Sequence, residues 1–185
     1  MSKIQPWKLI SKKDVSISNW FPVEERTYKK PDGGIIDDFT VLTVENVSLV
    51  IPVTADRKIV MVSQFKPGAD QVTLEFPGGR LKPGENYLEG AKTELYEETG
   101  MITDQFIELS ETITFPTKGS ERVMNFIALN VRKVSEQSLD EHEDIDLVEL
   151  SASEIDEMIS SGEINTAPSI TLWYLAKDKQ KNLLY

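Results

Sequence analysis

The chain has 185 residues, of which 39% are hydrophobic and 28% charged, which predicts one soluble globular domain or one domain with a small appendage. The absence of cysteine excludes disulfides, zinc–thiolate sites and thiol nucleophiles. The net charge of −11 would repel a nucleic-acid backbone, and no stretch is apolar enough for a signal-peptide core or a membrane span. We therefore expect no nucleic-acid partner, no membrane association and a cytoplasmic location.

The first part of the chain predicts a small antiparallel β subdomain. Residues 20–28 and 35–44 read as strands, and they flank the sequence "KKPDGG", whose proline, aspartate and glycines favour a turn. We therefore divide the chain into a subdomain over residues 1–45 and a main domain over residues 46–185.

Three further strands and a glycine-rich loop are predicted next. Residues 47–65 read as two strands joined at the polar "TADR", and residues 71–76 read as the third. The segment "PGGRLKPGE" (77–85) follows, and its glycines permit close backbone approach while its prolines stiffen the loop.

A helix is predicted directly after this loop. Asn86 and Glu89 have the spacing of a capping box, and Gly100 suits the residue that ends a helix. The apolar stripe predicted to pack consists of Leu88, Ala91 and Leu95. Gly90, inside this helix, would cost about 1 kcal/mol relative to alanine if it were exposed.

The remainder of the chain alternates strands with helices. Strands are predicted at residues 105–115, 122–134 and 147–150, and helices at 152–161 and 167–180. Ser151 and Glu154 have capping-box spacing before the first of these helices, and Pro168 suits the first turn of the second. Strands interleaved with a few helices indicate an α/β layered domain.

The first helix carries an unusual concentration of acid. Glu94, Glu97 and Glu98 lie at i, i+3 and i+4, where like charges repel, and the helical wheel puts Glu98 beside the apolar stripe. Taken alone, such a triplet favours a solvated acidic face. The preceding glycine loop changes this interpretation, because carboxylates next to such a loop could hold Mg²⁺ together with a diphosphate.

The same residues resemble the Nudix box over residues 79–101. The matching positions are Gly79, Glu85, Glu94, Leu95, Glu97, Glu98, Gly100 and Met101. One position departs from the pattern, because Thr93 stands where the box has arginine. An arginine there would pair with Glu97 one turn later, and in the family it is thought to orient that glutamate.

More of the chain resembles the ADP-ribose and nucleoside-diphosphate-sugar pyrophosphatases of this family. The run Gln64-Phe65-Lys66 and the run from Glu75 to Gly79 match that branch, and residues 115–128 and 139–175 are similar to its later segments. The resemblance implies a Nudix-type α/β/α sandwich with a mixed sheet plus the small N-terminal antiparallel β subdomain. It also implies a homodimer in which residues 1–45 contribute to dimerisation and substrate contacts.

The resemblance further implies an activity and a set of site residues. The activity is hydrolysis of the diphosphate bond of a nucleoside diphosphate linked to a sugar, with Mg²⁺ (Mn²⁺ possible) as cofactor. The implied metal ligands are the carbonyl of Gly78 with Glu94 and Glu98. The implied catalytic residues are Glu97, Glu141 as base and Glu143 as second candidate base. The substrate-binding candidates are Lys66, Gln64, Arg80, Arg122 and Trp20.

Alternatives stay open at this point. With Thr93 in the box, the chain could bind a nucleotide sugar as a sensor without cleaving it. Another nucleotide, such as an oxidised nucleoside triphosphate, a dinucleoside polyphosphate or coenzyme A, could be the substrate. Within the sugar nucleotides, ADP-ribose, ADP-glucose and GDP-mannose all fit the sequence. The acidic loop that contains Glu141 could also be a solvated surface loop.

Overall fold

The computed structural model describes residues 4–185 and contains eleven strands and three helices in that range. The strands are β1 Lys8–Asp14, β2 Val23–Lys29, β3 Ile35–Leu42, β4 Val47–Thr54, β5 Ile59–Lys66, β6 Gln71–Glu75, β7 Gly78–Arg80, β8 Met101–Ile102, β9 Gln105–Thr112, β10 Val123–Lys133 and β11 Ile145–Leu150. The helices are α1 Tyr87–Thr99, α2 Ala152–Ser161 and α3 Ala167–Leu184. None of these helices is both long and apolar enough to cross a membrane.

The first of two compact units contains the residues up to Glu45 together with Ile113–Glu121. Its three-stranded antiparallel sheet has the order β1-β2-β3. Three rings, those of Trp7, Tyr28 and Phe39, pack edge to face on this sheet. The sequence predicts β2 and β3 but not β1, because every residue of β1 is exposed and the strand therefore has no buried face to produce an alternating pattern.

The second unit contains Asn46–Thr112 and Arg122–Tyr185 and is built on an eight-stranded mixed sheet. Its central strands, β4 and β10, run parallel, and the other strand pairs are antiparallel. Successive residues of β4 serve opposite faces, as expected for a strand: Val50 packs with α1, whereas Leu49 and Ile51 pack with α2 and α3. The predicted α/β/α sandwich with a mixed sheet is therefore confirmed.

The glycine segment after β6 is the main local difference from the sequence prediction. Residues 78–80 form β7, a short strand that pairs antiparallel with β4, and Gly78 lies opposite Leu49. A Cβ on Gly78 would overlap the carbonyl oxygen of Ser48, so only glycine permits this approach. Glycines carry no side-chain pattern, and the sequence therefore indicated a loop here.

Helix α1 begins and ends as predicted, but its buried face differs. The Asn86–Glu89 capping box is present, and Gly100 ends the helix in the left-handed conformation with a φ of 68°. The prediction that Leu88 packs in the core is wrong, since Leu88 is 39% exposed. The buried face is made by Gly90, Ala91, Leu95, Glu98 and Thr99.

Gly90 allows α1 to pack closely against the loop before it. A Cβ at this position would collide with the side chain of Leu81. Glycine lowers helix propensity here, but it permits this close packing of Leu81 against α1. Because Gly90 is buried, the cost expected for an exposed position does not apply to it.

The two C-terminal helices lie near their predicted positions. Helix α2 has the predicted bounds and its Ser151–Glu154 capping box, whereas α3 continues to Leu184 through a non-helical residue, Gln180. The carboxylate of Asp156 on α2 accepts hydrogen bonds from three side chains on or after α3, those of Trp173, Lys177 and Tyr185.

Candidate active site

The site lies where β7 faces the acidic side of α1. The backbone N–H of Gly78 donates a 2.9 Å hydrogen bond to the Glu98 carboxylate. Gly79 lies against the Glu94 carboxylate so closely that a Cβ would come within 2.5 Å of Glu94 Oε1. The glycines of β7 and the two glutamates one helical turn apart therefore form one contiguous surface of backbone and carboxylate groups.

Burial gives Glu98 an unusual protonation equilibrium. The residue is 5% exposed, although the sequence predicted only a position beside the apolar stripe. The pKa of Glu98 is raised to about 8, mainly by desolvation and next by the charge of Glu94, while the Gly78 hydrogen bond opposes the shift. Lys66 also lowers the Glu98 pKa, through its charge alone.

Glu94 has the same perturbation to a smaller degree. Its pKa is raised to about 7, mainly by burial and next by the charges of Glu97 and Glu143. Within residues 4–185, neither Glu94 nor Glu98 forms an ion pair with a lysine or arginine. A buried carboxylate, Glu98, and a half-buried one, Glu94, repel each other here without a direct cationic partner, and such an arrangement is costly unless a cation compensates it.

This donor set fits a hard divalent cation. Carboxylate and carbonyl oxygens are the ligands that Mg²⁺ prefers, and Mg²⁺ is commonly held by one or two carboxylates plus water and substrate phosphates. No group of three or more aspartate, glutamate or histidine residues forms a ready metal cage in the part of the chain that the structure describes. The Glu94–Glu98 pair thus supplies a partial ligand set, as expected if substrate completes it.

Glu97 differs from its two neighbours because it has a cation. The Nζ atom of Lys82 donates to both carboxylate oxygens of Glu97, at 2.8 and 3.1 Å. The hydroxyl of Thr93 donates its hydrogen bond to Glu85 and not to Glu97. Sequence reasoning missed Lys82, because the conformation of the loop determines what its lysine can reach and residue spacing does not reveal it.

The acidic loop before β11 approaches the buried pair through Glu143. Glu143 is half-buried and its charge raises the pKa of both Glu94 and Glu98, whereas Glu141 is exposed and is not among the main causes of either pKa shift. The Glu143 carboxylate accepts a 3.0 Å hydrogen bond from the backbone N–H of Asp140, which restrains it. Glu143, the second candidate base from the sequence, is therefore the candidate whose charge acts more strongly on Glu94 and Glu98.

An open cavity of about 460 Å³ adjoins this region. Its walls come from β5, β6, the acidic loop and the start of β11, and they include Gln64, Phe65, Lys66, His142 and Asp144. Lys66 Nζ donates a 2.6 Å hydrogen bond to Gln64 Oε1 and lies 3.5 Å from the Glu75 carboxylate. The structure therefore brings together two of the five substrate-binding candidates, Gln64 and Lys66.

The other three substrate-binding candidates lie elsewhere. Arg80 and Arg122 are exposed residues of the second unit that do not line the cavity. Trp20 belongs to the first unit, where its side chain is 80% exposed.

Comparison with known proteins gives consistent similarities. Residues 44–170 match the NUDIX domain. The chain is 33% identical over 122 residues to "Methanol dehydrogenase activator" of Bacillus methanolicus, covering 65% of this chain and 66% of that protein. It is 31% identical over 119 residues to "ADP-ribose pyrophosphatase" of Bacillus subtilis (strain 168), covering 64% of each.

Two further similarities complete the comparison. The chain is 34% identical over 96 residues to "ADP-sugar pyrophosphatase" of Mus musculus, covering 46% of this chain and 44% of that protein. The crystal structure of an "ADP compounds hydrolase" has the same fold, with a TM-score of 0.84, 20% identity and 98% coverage of both chains. The chain spans about two thirds or less of the length of the curated relatives it matches.

Proposed function

Because the chain belongs to the Nudix family, we propose that it hydrolyses the diphosphate bond of a nucleoside diphosphate linked to a sugar. The products would be a nucleoside monophosphate and a sugar phosphate. The observation that carries this proposal is the carboxylate pair beside the glycine strand β7, in which Glu98 is buried and Glu94 is half-buried. The names of the two pyrophosphatase relatives support the substrate class.

A divalent cation belongs to this proposal, with Mg²⁺ as the first choice and Mn²⁺ as the second. Glu94, Glu98 and the carbonyl of Gly78 would hold it. When bound, the cation neutralises diphosphate charge and supplies Lewis acidity at phosphorus.

The chain's own residues would do the rest of the chemistry. Glu143 accepts the proton of the attacking water, and its hydrogen bond from Asp140 keeps the carboxylate aimed in one direction. Glu141, the first candidate from the sequence, is the alternative base. Lys66 neutralises phosphate charge from the wall of the cavity, where Gln64 fixes its ammonium group.

The cavity beside Lys66 would accommodate one end of the substrate. Phe65 gives it an apolar wall, while Gln64 and Asp144 offer hydrogen-bonding groups of the kind that recognise sugar hydroxyls. The net charge of −11 favours a small substrate over nucleic acid, and a cytoplasmic location is part of the same proposal.

A homodimer is also proposed, formed through the first unit. That unit exposes a large set of apolar side chains, and exposed apolar patches of this kind mark interaction surfaces. The set comprises Trp7, Leu9, Ile10, Ile17, Trp20, Phe21 and Ile35. Contact of Trp20 with substrate is proposed within this dimer.

The decisive experiment is a substrate panel. Purified protein would be incubated with ADP-ribose, ADP-glucose and GDP-mannose in Mg²⁺, and nucleoside monophosphate would be quantified by chromatography. We expect release from at least one compound, and none from the Glu94→Gln/Glu98→Gln double variant.

Other outcomes separate the alternatives. Tight calorimetric binding of ADP-ribose without release of AMP would replace the enzyme with a nucleotide-sugar sensor. Cleavage of an oxidised nucleoside triphosphate, a dinucleoside polyphosphate or coenzyme A in place of the sugar nucleotides would keep the chemistry and change the substrate class.

A further inference from the structure

The contact between Lys82 and Glu97 joins the loop after β7 to the acidic face of α1. The lysine amine bonds both oxygens of one carboxylate, while the lysine and glutamate side chains remain 57% and 35% exposed. An exposed pair of this kind adds little to stability. Its main effect is therefore on where the Glu97 carboxylate points.

Hydrogen bonds through Glu85 connect the loop to α1 beside this contact. The backbone N–H of Lys82 donates a 2.8 Å hydrogen bond to Glu85 Oε2, and the hydroxyl of Thr93 donates a 2.9 Å hydrogen bond to Glu85 Oε1. One carboxylate thus connects the loop backbone with α1 one turn before Glu97. The side chain of Lys82 starts from a fixed point above the helix surface.

The charges around Lys82 are consistent with this placement. Its pKa is raised above the usual lysine value, first by the hydrogen bond with Glu97 and more weakly by the charges of Glu94 and Glu85. The pKa of Glu94 is raised by burial and by the charge of Glu97, and the charge of Lys82 opposes this rise. Among residues 4–185, Lys82 is the cation that directly pairs with a carboxylate of the Glu94–Glu98 segment.

We propose that Lys82 is a positioning residue, which holds the Glu97 carboxylate in one orientation beside the Glu94–Glu98 pair. Thr93 assists by anchoring the loop through Glu85. An arginine at position 93 would reach Glu97 along the helix, from one turn before it. This chain supplies the cation from the loop instead. The inference rests on the proposed function only in that Glu94 and Glu98 bind a divalent cation.

The test uses four variants and a readout that does not require turnover. Binding of Mn²⁺ to the metal-free protein would be titrated by electron paramagnetic resonance for Lys82→Met, Lys82→Arg, Lys82→Met/Thr93→Arg and Lys92→Met. Lys92 is the matched control, because it is an exposed lysine on α1 whose ammonium group lies over the ring of Phe106. kcat and KM would be measured in parallel.

We expect Lys82→Met to weaken Mn²⁺ binding or reduce kcat by about 10- to 100-fold, the range typical of residues that orient metal ligands, with little change in KM. Weaker binding is informative, because removing a positive charge near a cation site would by electrostatics alone strengthen it. Lys82→Arg and the Lys82→Met/Thr93→Arg pair should restore most of the loss, and Lys92→Met should resemble the wild type.

Two results would overturn the proposal. Unchanged or tighter Mn²⁺ binding with unchanged kcat in Lys82→Met would make Lys82 a nearby surface charge only. A loss that neither arginine variant restores would mean that the loop fold, and not the orientation of Glu97, was damaged. If wild-type protein cleaves no nucleotide while Lys82→Met still weakens Mn²⁺ binding, the proposed function fails and the positioning role stands.

Discussion

The backbone N–H of Gly78 donates a hydrogen bond to the carboxylate of Glu98, across 20 residues of sequence. This contact fixes the short strand β7 against the buried side of α1. It also stabilises the charged form of a carboxylate that burial otherwise disfavours, so it couples local packing to the protonation of the site.

The stability of the metal-free protein should fall as pH rises. The folded-state pKa values of Glu94 and Glu98, about 7 and about 8, lie above the unfolded value of 4.5. As pH rises, the unfolded state therefore loses these protons at a lower pH than the folded state does. The free energy of unfolding falls over this range, from the unfolded pKa up to the pH at which both groups are ionised in the folded protein. Thermal unfolding with a chelator present should give a lower Tm at about pH 8.5 than at about pH 5.

The matched control for this effect is Glu98→Gln, which keeps an acceptor for the Gly78 N–H and removes the charge. Its Tm should depend less on pH than that of the wild type, and Mn²⁺ should raise the wild-type Tm most at the alkaline end. An equal pH dependence in both proteins would contradict the assignment of the titration to this pair.

Glu98→Gln should reduce turnover at least about 100-fold, because the variant would lack one of the two proposed anionic ligands of the cation. The same variant should unfold at a higher temperature than the wild type in chelator at alkaline pH, since it no longer buries a charge. Glu157→Gln, an exposed acid on α2, is the control and should change neither property. Turnover near the wild-type rate in Glu98→Gln would remove Glu98 from the ligand set.

Glu143→Gln should lower kcat about 10²- to 10⁴-fold while Mn²⁺ affinity stays close to that of the wild type, as expected for a general base. Glu141→Gln should stay within about threefold of wild type, since Glu141 is exposed and is not among the main charges that shift the pKa of Glu94 or Glu98. Steady-state kinetics of the two variants decide the matter. The reverse ranking would assign the base to Glu141.

Gly78→Ala should destabilise the second unit by about 1–3 kcal/mol or more, because the added methyl group would overlap backbone that cannot move aside. It would meet the carbonyl oxygen of Ser48 and lie 2.9 Å from the Leu49 Cα. Gly68→Ala is the control, since no atom lies within 4 Å of that position, and it should be neutral. Chemical denaturation measures both, and equal stabilities would contradict the close approach of β7.

The protein should sediment with about twice its 20.9 kDa chain mass if the apolar surface of the first unit is a dimer interface. Ile10 and Ile35 are 52% and 55% exposed. The double variant Ile10→Lys/Ile35→Lys would place two charges on this surface and should be monomeric. Tyr174→Lys, on α3, replaces an exposed aromatic in the second unit and should leave the dimer intact. Sedimentation velocity of the three proteins is the measurement, and a monomeric wild type would contradict the dimer.

The features that the sequence predicted best are those determined by local spacing. The Asn86–Glu89 capping box, the glycine end of α1 at Gly100 and the bounds of α2 all depend on residues a few positions apart, and all are confirmed. The central sheet was also predictable, because β4 is a nearly continuous apolar run that is buried on both faces.

The features that sequence reasoning missed depend on contacts between distant segments. The rotation of α1 is set partly by the bond from Gly78 to Glu98, which buries an acid and leaves Leu88 half-exposed. The pairing of Lys82 with Glu97 depends on the path of a loop. The electrostatic difference between Glu141 and Glu143 depends on how the acidic loop turns, and a run of acids contains no signal for it.

The first unit is discontinuous in sequence, and this limits how the protein can be divided. The chain leaves the second unit after Thr112, supplies Ile113–Glu121 to the first and returns at Arg122. Within the first unit, Leu42 exchanges backbone hydrogen bonds with Lys118 and Ser120. A break between residues 45 and 46 would separate Leu42 from those partners. A chimera that takes its N-terminal strands from a relative must therefore also take the nine-residue segment Ile113–Glu121 from it. Otherwise both fragments would be left with unpaired backbone groups.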